Sequence, residues 1–131
     1  MGPFTLGGVP SPKTILVVDD EVEIGRVLKK VLTLEGYRIL VTTSGQSALS
    51  LLRKEQVNLI LLDLKMPRMG GLEVLKKVRA QKRKGGIPVV MLTAYGSVSS
   101  AREAMTLGAV DYLTKPFDLD AVKSAVREAL A

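Results

Sequence analysis

The chain has 131 residues, 47% hydrophobic and 24% charged, the balance of one folded domain rather than a disordered segment. It contains neither cysteine nor histidine, which excludes disulfides, Cys/His zinc sites, thiolate chemistry and every histidine-based catalytic arrangement. Its net charge of +6 is concentrated in "KKVRAQKRKGG" (76–86), which holds no aromatic residue to stack on a base. A solvated basic helix end is therefore expected there, and direct nucleic-acid binding is not.

In chain order, "MGPFTLGGVPSPK" comes first. It lacks the charged start and long apolar centre of a signal peptide, and Gly and Pro take six of its first twelve positions. Residues 1–13 are expected to be a flexible leader or an engineered remnant, set apart from one domain over 14–131. Five short apolar runs follow, at 14–18, 37–42, 57–64, 87–94 and 109–114. "LILL" and "PVVML" are apolar at consecutive positions, as strands covered on both faces require, so a parallel sheet is favoured.

Helical periods alternate with these runs. Over 22–35, Ile24, Val27, Leu28, Val31 and Leu32 share one face, with Gly36 placed to end the helix. The span 45–55 follows Thr43 and Ser44, either of which can cap it. Leu72, Leu75 and Val78 mark a helix over 72–82, and Val98, Ala101, Ala104 and Met105 one over 97–107, closed by Gly108. Asp118 is placed to cap a last helix over 119–130. No apolar run approaches the roughly 20 residues needed to cross a bilayer.

Five strand–helix units with right-handed crossovers make a doubly wound α/β layer, a single (βα)5 domain. Such sheets carry their sites at the carboxyl ends of the strands. Here those ends hold Asp19 and Asp20 (first strand), Asp63 (third), Thr93 (fourth) and Lys115 (fifth). In the strand order 2-1-3-4-5 the three aspartates converge, with Thr93 and Lys115 facing them. Three adjacent carboxylates need more positive charge than one lysine supplies. A hard divalent cation held by oxygen ligands fits the deficit: Mg2+, with Mn2+ as a substitute. "VVDDEVEIG" offers no Gly-rich loop for a nucleotide phosphate, and no such phosphate-binding motif occurs elsewhere.

The segments "ILVVDDE", "LILLDLKMPRMGGLEVL", "PVVMLTA" and "GAVDYLTKPF" resemble the receiver domain of bacterial two-component response regulators, over roughly residues 14–131. "TAYGSV" and "AREAMTLGAVDYLTKPFDLD" further resemble receivers of enhancer-binding transcription activators of the nitrogen-regulator type. The resemblance implies a flavodoxin-like, CheY-like fold. It implies that Asp63 accepts a phosphoryl group from a sensor histidine kinase or phosphotransfer protein. It also implies that Asp20 ligates Mg2+ directly, Asp19 holds metal-bound water, and the Lys65 backbone carbonyl is a further ligand alongside Asp63. Thr93 and Lys115 match the groups that contact the phosphoryl group, Thr93 and Tyr112 the switch pair, and Pro116 a position where the family typically has a cis bond.

A cytoplasmic signalling switch rather than a turnover enzyme is then expected. Its fourth helix, fifth strand and fifth helix would form the responsive surface and a candidate homodimer interface. Lys65 and Tyr95, at the mouth of the site, are candidates for tuning phosphoryl lifetime, against the plainer reading as exposed loop side chains. Two other readings fit less well. A haloacid-dehalogenase-type phosphatase would carry D-x-D after the first strand and a cap domain. A binding-only pseudo-receiver would have lost Asp63, Lys115 or the acid pair. The sequence has no helix-turn-helix or ATPase motif, so a stand-alone regulator and a receiver cut from a longer protein both remain open; the leader favours the second.

Overall fold

The computed structural model describes residues 5–6, 9–81, 86–94 and 98–131. Thr5–Leu6 and Val9–Pro10 pair as a short antiparallel ladder outside the main sheet. The main sheet has five parallel strands: β1 (Thr14–Val18), β2 (Arg38–Thr42), β3 (Leu59–Asp63), β4 (Val89–Ala94) and β5 (Asp111–Lys115). Their order is β2-β1-β3-β4-β5. The helices are α1 (Val22–Leu34), α2 (Gly45–Lys54), α3 (Gly71–Ala80), α4 (Val98–Thr106) and α5 (Leu119–Leu130). No described helix is long and apolar enough to cross a membrane.

Consecutive apolar residues become two cores because side chains alternate across a strand. Ile15, Val17, Leu59, Leu61, Val90 and Leu92 face α1 and α5, packing on Leu28, Leu32, Val122 and Val126. Leu16, Val18, Ile60, Leu62, Val89 and Met91 face the other way, onto Leu52, Val74, Leu75 and Ala104. The three inner strands are buried nearly throughout, whereas β2 and β5, at the sheet edges, alternate. Asn58 ties the opening ends of β1 and β3: its Oδ1 accepts from the Thr14 N–H, and its own N–H donates to the Thr14 carbonyl, both at 2.8 Å.

The expected caps form. Ser44 accepts from the Ser47 N–H and Asp118 from the Asp120 N–H. Helices α1 and α4 end alike. Gly36 and Gly108, at φ +98° and +102°, bring the Gly36 and Tyr37 N–H groups onto Thr33 and Leu32, and those of Gly108 and Ala109 onto Met105 and Ala104.

The basic run at the end of α3 departs from expectation at one residue. Arg79 is only partly exposed: its guanidinium donates to the Ile87 carbonyl and the Gly108 carbonyl, both at 2.9 Å. It thereby ties α3 to the approach to β4 and to the end of α4. Residues 82–85 of that run lie outside the described residues. Replacing Arg79 with Ala leaves two carbonyls without donors, so Arg79→Ala is expected to lose about 1–3 kcal/mol in urea unfolding. Arg79→Lys should recover only part, because an ammonium lacks the guanidinium's fixed fork.

Candidate functional site

The site forms at the carboxyl ends of the neighbouring strands β1 and β3, with Lys115 reaching them from β5, on the far side of β4. Asp19 directly follows β1, and its N–H donates to the Thr42 carbonyl at 3.1 Å, extending the ladder with β2 and holding the side chain at 0% exposure. Its Oδ1 accepts from the Glu21 N–H at 2.9 Å. Its Oδ2 lies 2.7 Å from the Lys115 ammonium, but no donor meets it with hydrogen-bond alignment. Asp63, the last residue of β3, is also buried; its Oδ1 lies 3.4 Å from Lys115 Nζ and 3.4 Å from the Lys65 N–H that donates to it. Asp20 is exposed at the rim. One carboxylate oxygen from each of Asp19, Asp20 and Asp63 lies within 4.8 Å of the others.

Burial, the Asp19 charge and a hydrogen bond with Asp20 push the Asp63 carboxyl up to about 7, and Lys115 only partly offsets them. Burial alone would lower the Lys115 pKa. The Asp19 carboxylate 2.7 Å away, with the charges of Asp63 and Glu21, outweighs it and holds the lysine above its ordinary value. Lys115 therefore stays charged, and one positive charge faces Asp19, Asp20, Asp63 and Glu21. A buried carboxylate oxygen without an aligned donor, inside a triad of convergent oxygens, fits a divalent cation coordinated by oxygen.

Thr93 is buried at the end of β4, one residue past the position in register with Asp63. Its hydroxyl donates at 3.4 Å to the Leu113 carbonyl on β5. Tyr112, on β5, is 42% exposed. Lys65 is exposed and reaches Asp63 through its backbone amide. The Lys115–Pro116 bond is cis. Tyr95 lies outside the described residues.

Two features were hidden in the sequence, and Glu21 adds a further contact at the site. Glu21 stands at the N-cap of α1 but makes no side-chain cap; its carboxylate is 3.8 Å from Lys115 instead. Gly71 opens α3 against the site: a Cβ there would overlap the Asp63 carbonyl, and its N–H donates to the Leu64 carbonyl at 2.8 Å. Arg68 occupies the left-handed region at φ +69°, inside a turn closed by the Met69 N–H on the Pro67 carbonyl at 2.8 Å. Only the "DDE" triplet and the paired glycines of "PRMGG" hinted at them.

With this geometry in place, comparison with known proteins decides the family: the model of the response regulator receiver domain matches residues 15–127. The chain belongs to that family. Sporulation initiation phosphotransferase F of Bacillus subtilis (strain 168) is 39% identical over 116 residues, covering 88% of this chain and 92% of that protein. Transcriptional regulatory protein ZraR of Escherichia coli (strain K12) is 40% identical over 117 residues, 89% of this chain; the chain spans only 26% of that relative. Among solved structures, the receiver domain of NtrX from Brucella abortus superposes with a TM-score of 0.84 at 33% identity, covering 88% of this chain and 97% of that one. The receiver is thus a signalling domain governed by phosphorylation, with the parallel (βα)5 fold expected from its sequence.

The raised pKa of Asp63 sets a pH dependence for the receiver without metal. Between about 4 and about 7 the folded chain binds a proton at Asp63 that the unfolded chain has released. Stability is therefore expected to fall as pH rises through that window, and most of the loss should vanish in Asp63→Asn. At pH 8 in chelator, Asp63→Asn should unfold at higher temperature than the parent, by roughly 1–3 kcal/mol of stability. Parallel pH–stability curves for the two proteins would refute the assignment.

Proposed function

We propose that Asp63 accepts a phosphoryl group from a phosphohistidine of a sensor kinase or phosphotransfer protein, or from a small acyl phosphate. The observation that carries this reading is the Lys115 ammonium set between two buried carboxylates, 2.7 Å from Asp19 and 3.4 Å from Asp63. An Asp63 oxygen attacks phosphorus in line, the bond to the donor nitrogen or oxygen breaks, and an aspartyl phosphate results. Lys115 and the Lys65 N–H already point at Asp63 and can meet the negative charge that develops on the phosphoryl oxygens.

Asp19, Asp20, Asp63 and the Lys65 carbonyl would hold Mg2+, or Mn2+ in its place. When bound, the ion supplies fixed positive charge for the transferred group. Asp20, exposed at the rim, is suited to direct ligation, and buried Asp19 to holding the ion's water. On this reading the domain assists its own phosphorylation and dephosphorylation and does not turn over a substrate. Lys65 stands over the entrance and slows attack by water; Tyr95 is the other candidate for that role.

Signalling follows from the added charge. The Thr93 hydroxyl leaves the Leu113 carbonyl to donate to the phosphoryl group, and Tyr112 turns inward. The α4–β5–α5 face then changes shape. Val98, Met105, Val110, Tyr112 and Leu119 expose large apolar surface there, which favours a homodimer of the active form. The domain works in the cytoplasm, and the output is transcription, exerted through a further domain rather than by DNA contact from residues 14–131. The sequence kinship with transcriptional regulators supports this. Residues 1–13 form a leader outside the domain.

With acetyl phosphate and Mg2+, intact mass is expected to show one added phosphoryl group, lost in Asp63→Asn and on chelation. Lys115→Ala should slow incorporation by about 10²–10³-fold. Incorporation at another residue in Asp63→Asn would overturn the assignment. Light scattering with a phosphoryl mimic and Mg2+ should report a dimer, and Tyr112→Asp should return it to monomer.

A further inference from the structure

We propose that Arg79 makes the carboxyl end of α4 a fixed pivot, about which phosphorylation swings the helix's amino end. The pivot rests on the reading of Asp63 as phosphoacceptor. α4 is the helix least held by packing. Among the described residues it buries only Ala101 and Ala104, whereas each of the other four helices buries at least two Leu or Val side chains. A methyl group removes far less apolar surface from water than a Leu or Val side chain does. Val98 and Met105 of α4 stay 56% and 40% exposed. Little therefore fixes this helix along its length, and its ends decide how it moves.

The carboxyl end is tied down. Beyond the capping bonds of Gly108 and Ala109, the Val110 N–H donates to the Val89 carbonyl at 2.9 Å, and Leu107 packs on the core. Arg79 adds a tie from α3, one arm of its guanidinium on the Gly108 carbonyl and the other on the Ile87 carbonyl at the approach to β4. Gly108 leaves room for it: a Cβ there would stand 2.9 Å from Arg79 Nε. A planar cation held at both arms resists rotation better than a single contact would. The amino end has another role. Val98 comes four residues after Ala94, the last residue of β4, and Thr93 beside Ala94 is the residue whose hydroxyl leaves Leu113 in the proposed switch. Val98 and Thr106 lie about 12 Å apart along α4. Rotation about Gly108 therefore moves Val98 most and Thr106 least, and the exposed Val98 is carried with it. An arginine that only stabilised the fold would not set this gradient.

The chain has no cysteine, so spin labels can be placed at chosen sites and their separations measured by pulsed electron resonance. Two doubly labelled chains are compared: Lys30→Cys with Ser99→Cys, and Lys30→Cys with Thr106→Cys, all at exposed positions. Dilution with unlabelled protein restricts the reading to distances within one chain. Beryllium fluoride with Mg2+, as the phosphoryl mimic, should shift the distance to residue 99 at least about threefold more than the distance to residue 106. In Arg79→Ala the distance to residue 106 should broaden and shift as far as that to residue 99, so the ratio falls to about one, with Arg79→Lys in between. Should circular dichroism show Arg79→Ala unfolded, Arg79→Gln takes its place with the same fall expected. Val126→Ala, a loss of packing on the other face of the sheet, should leave the ratio unchanged. Equal shifts at both ends of the parent, a ratio unaltered in the Arg79 variants, or an equal fall in Val126→Ala would each overturn the pivot. So would no shift at either end in a chain that takes up a phosphoryl group at Asp63 from acetyl phosphate. No uptake at Asp63 would overturn the phosphoacceptor reading, and the pivot with it.

Discussion

The ammonium of Lys115, shared between Asp19 and Asp63, is the contact on which the rest of the site depends. Two carboxylates buried side by side repel each other, and each loses hydration. One lysine cannot neutralise them, and the residue of that imbalance falls on Asp63, whose carboxyl titrates near neutrality. The same imbalance makes the site responsive. A charge added to Asp63 or a cation placed among the three aspartates changes what Lys115 is attracted to, and Lys115 belongs to a different strand from either acid.

In the proposed switch, that separation across strands is what would turn a local charge into a change of shape. β1 and β3 are adjacent, inner and buried, so Asp19 and Asp63 are held by saturated ladders and two cores. β5 is an edge strand, with β4 on one side only. It carries Lys115 toward the acids, receives the Thr93 hydroxyl at the Leu113 carbonyl, and presents Tyr112 outward. Acids on inner strands and their counter-charge on an edge strand is an arrangement that suits the proposed population shift.

How much of this could be read from the sequence depended on whether a residue's role was local. Apolar runs identified all five strands to within two residues at their ends, and Ser44, Asp118, Gly36 and Gly108 marked helix ends through chemistry confined to a few neighbours. The convergence of Asp19, Asp20, Asp63 and Lys115 was legible because a doubly wound sheet leaves its strand ends in one place. Arg79 was not legible: an arginine in a basic helical stretch looks solvated until the Ile87 and Gly108 carbonyls arrive from distant parts of the chain. Asn58 and Gly71 were hidden for the same reason. Each acts on a partner that only the tertiary fold brings near.

The chain's charge distribution then has a consistent logic. A phosphoryl donor is an anion, and the acids at the strand ends oppose its approach at short range. The chain as a whole carries +6, so its long-range field attracts what the acids at the strand ends repel. An acidic partner is drawn toward the molecule by that net charge and sorted at contact distance by where cations stand unpaired. Arg26, Arg38 and Arg127 are already held by Glu23, Glu55 and Glu35, whereas among the described residues Lys29, Lys30, Arg53, Lys54 and Lys77 have no carboxylate within 4.0 Å. Pairing, more than the number of cations, separates a surface that can recruit a carboxylate from one that has already satisfied its own.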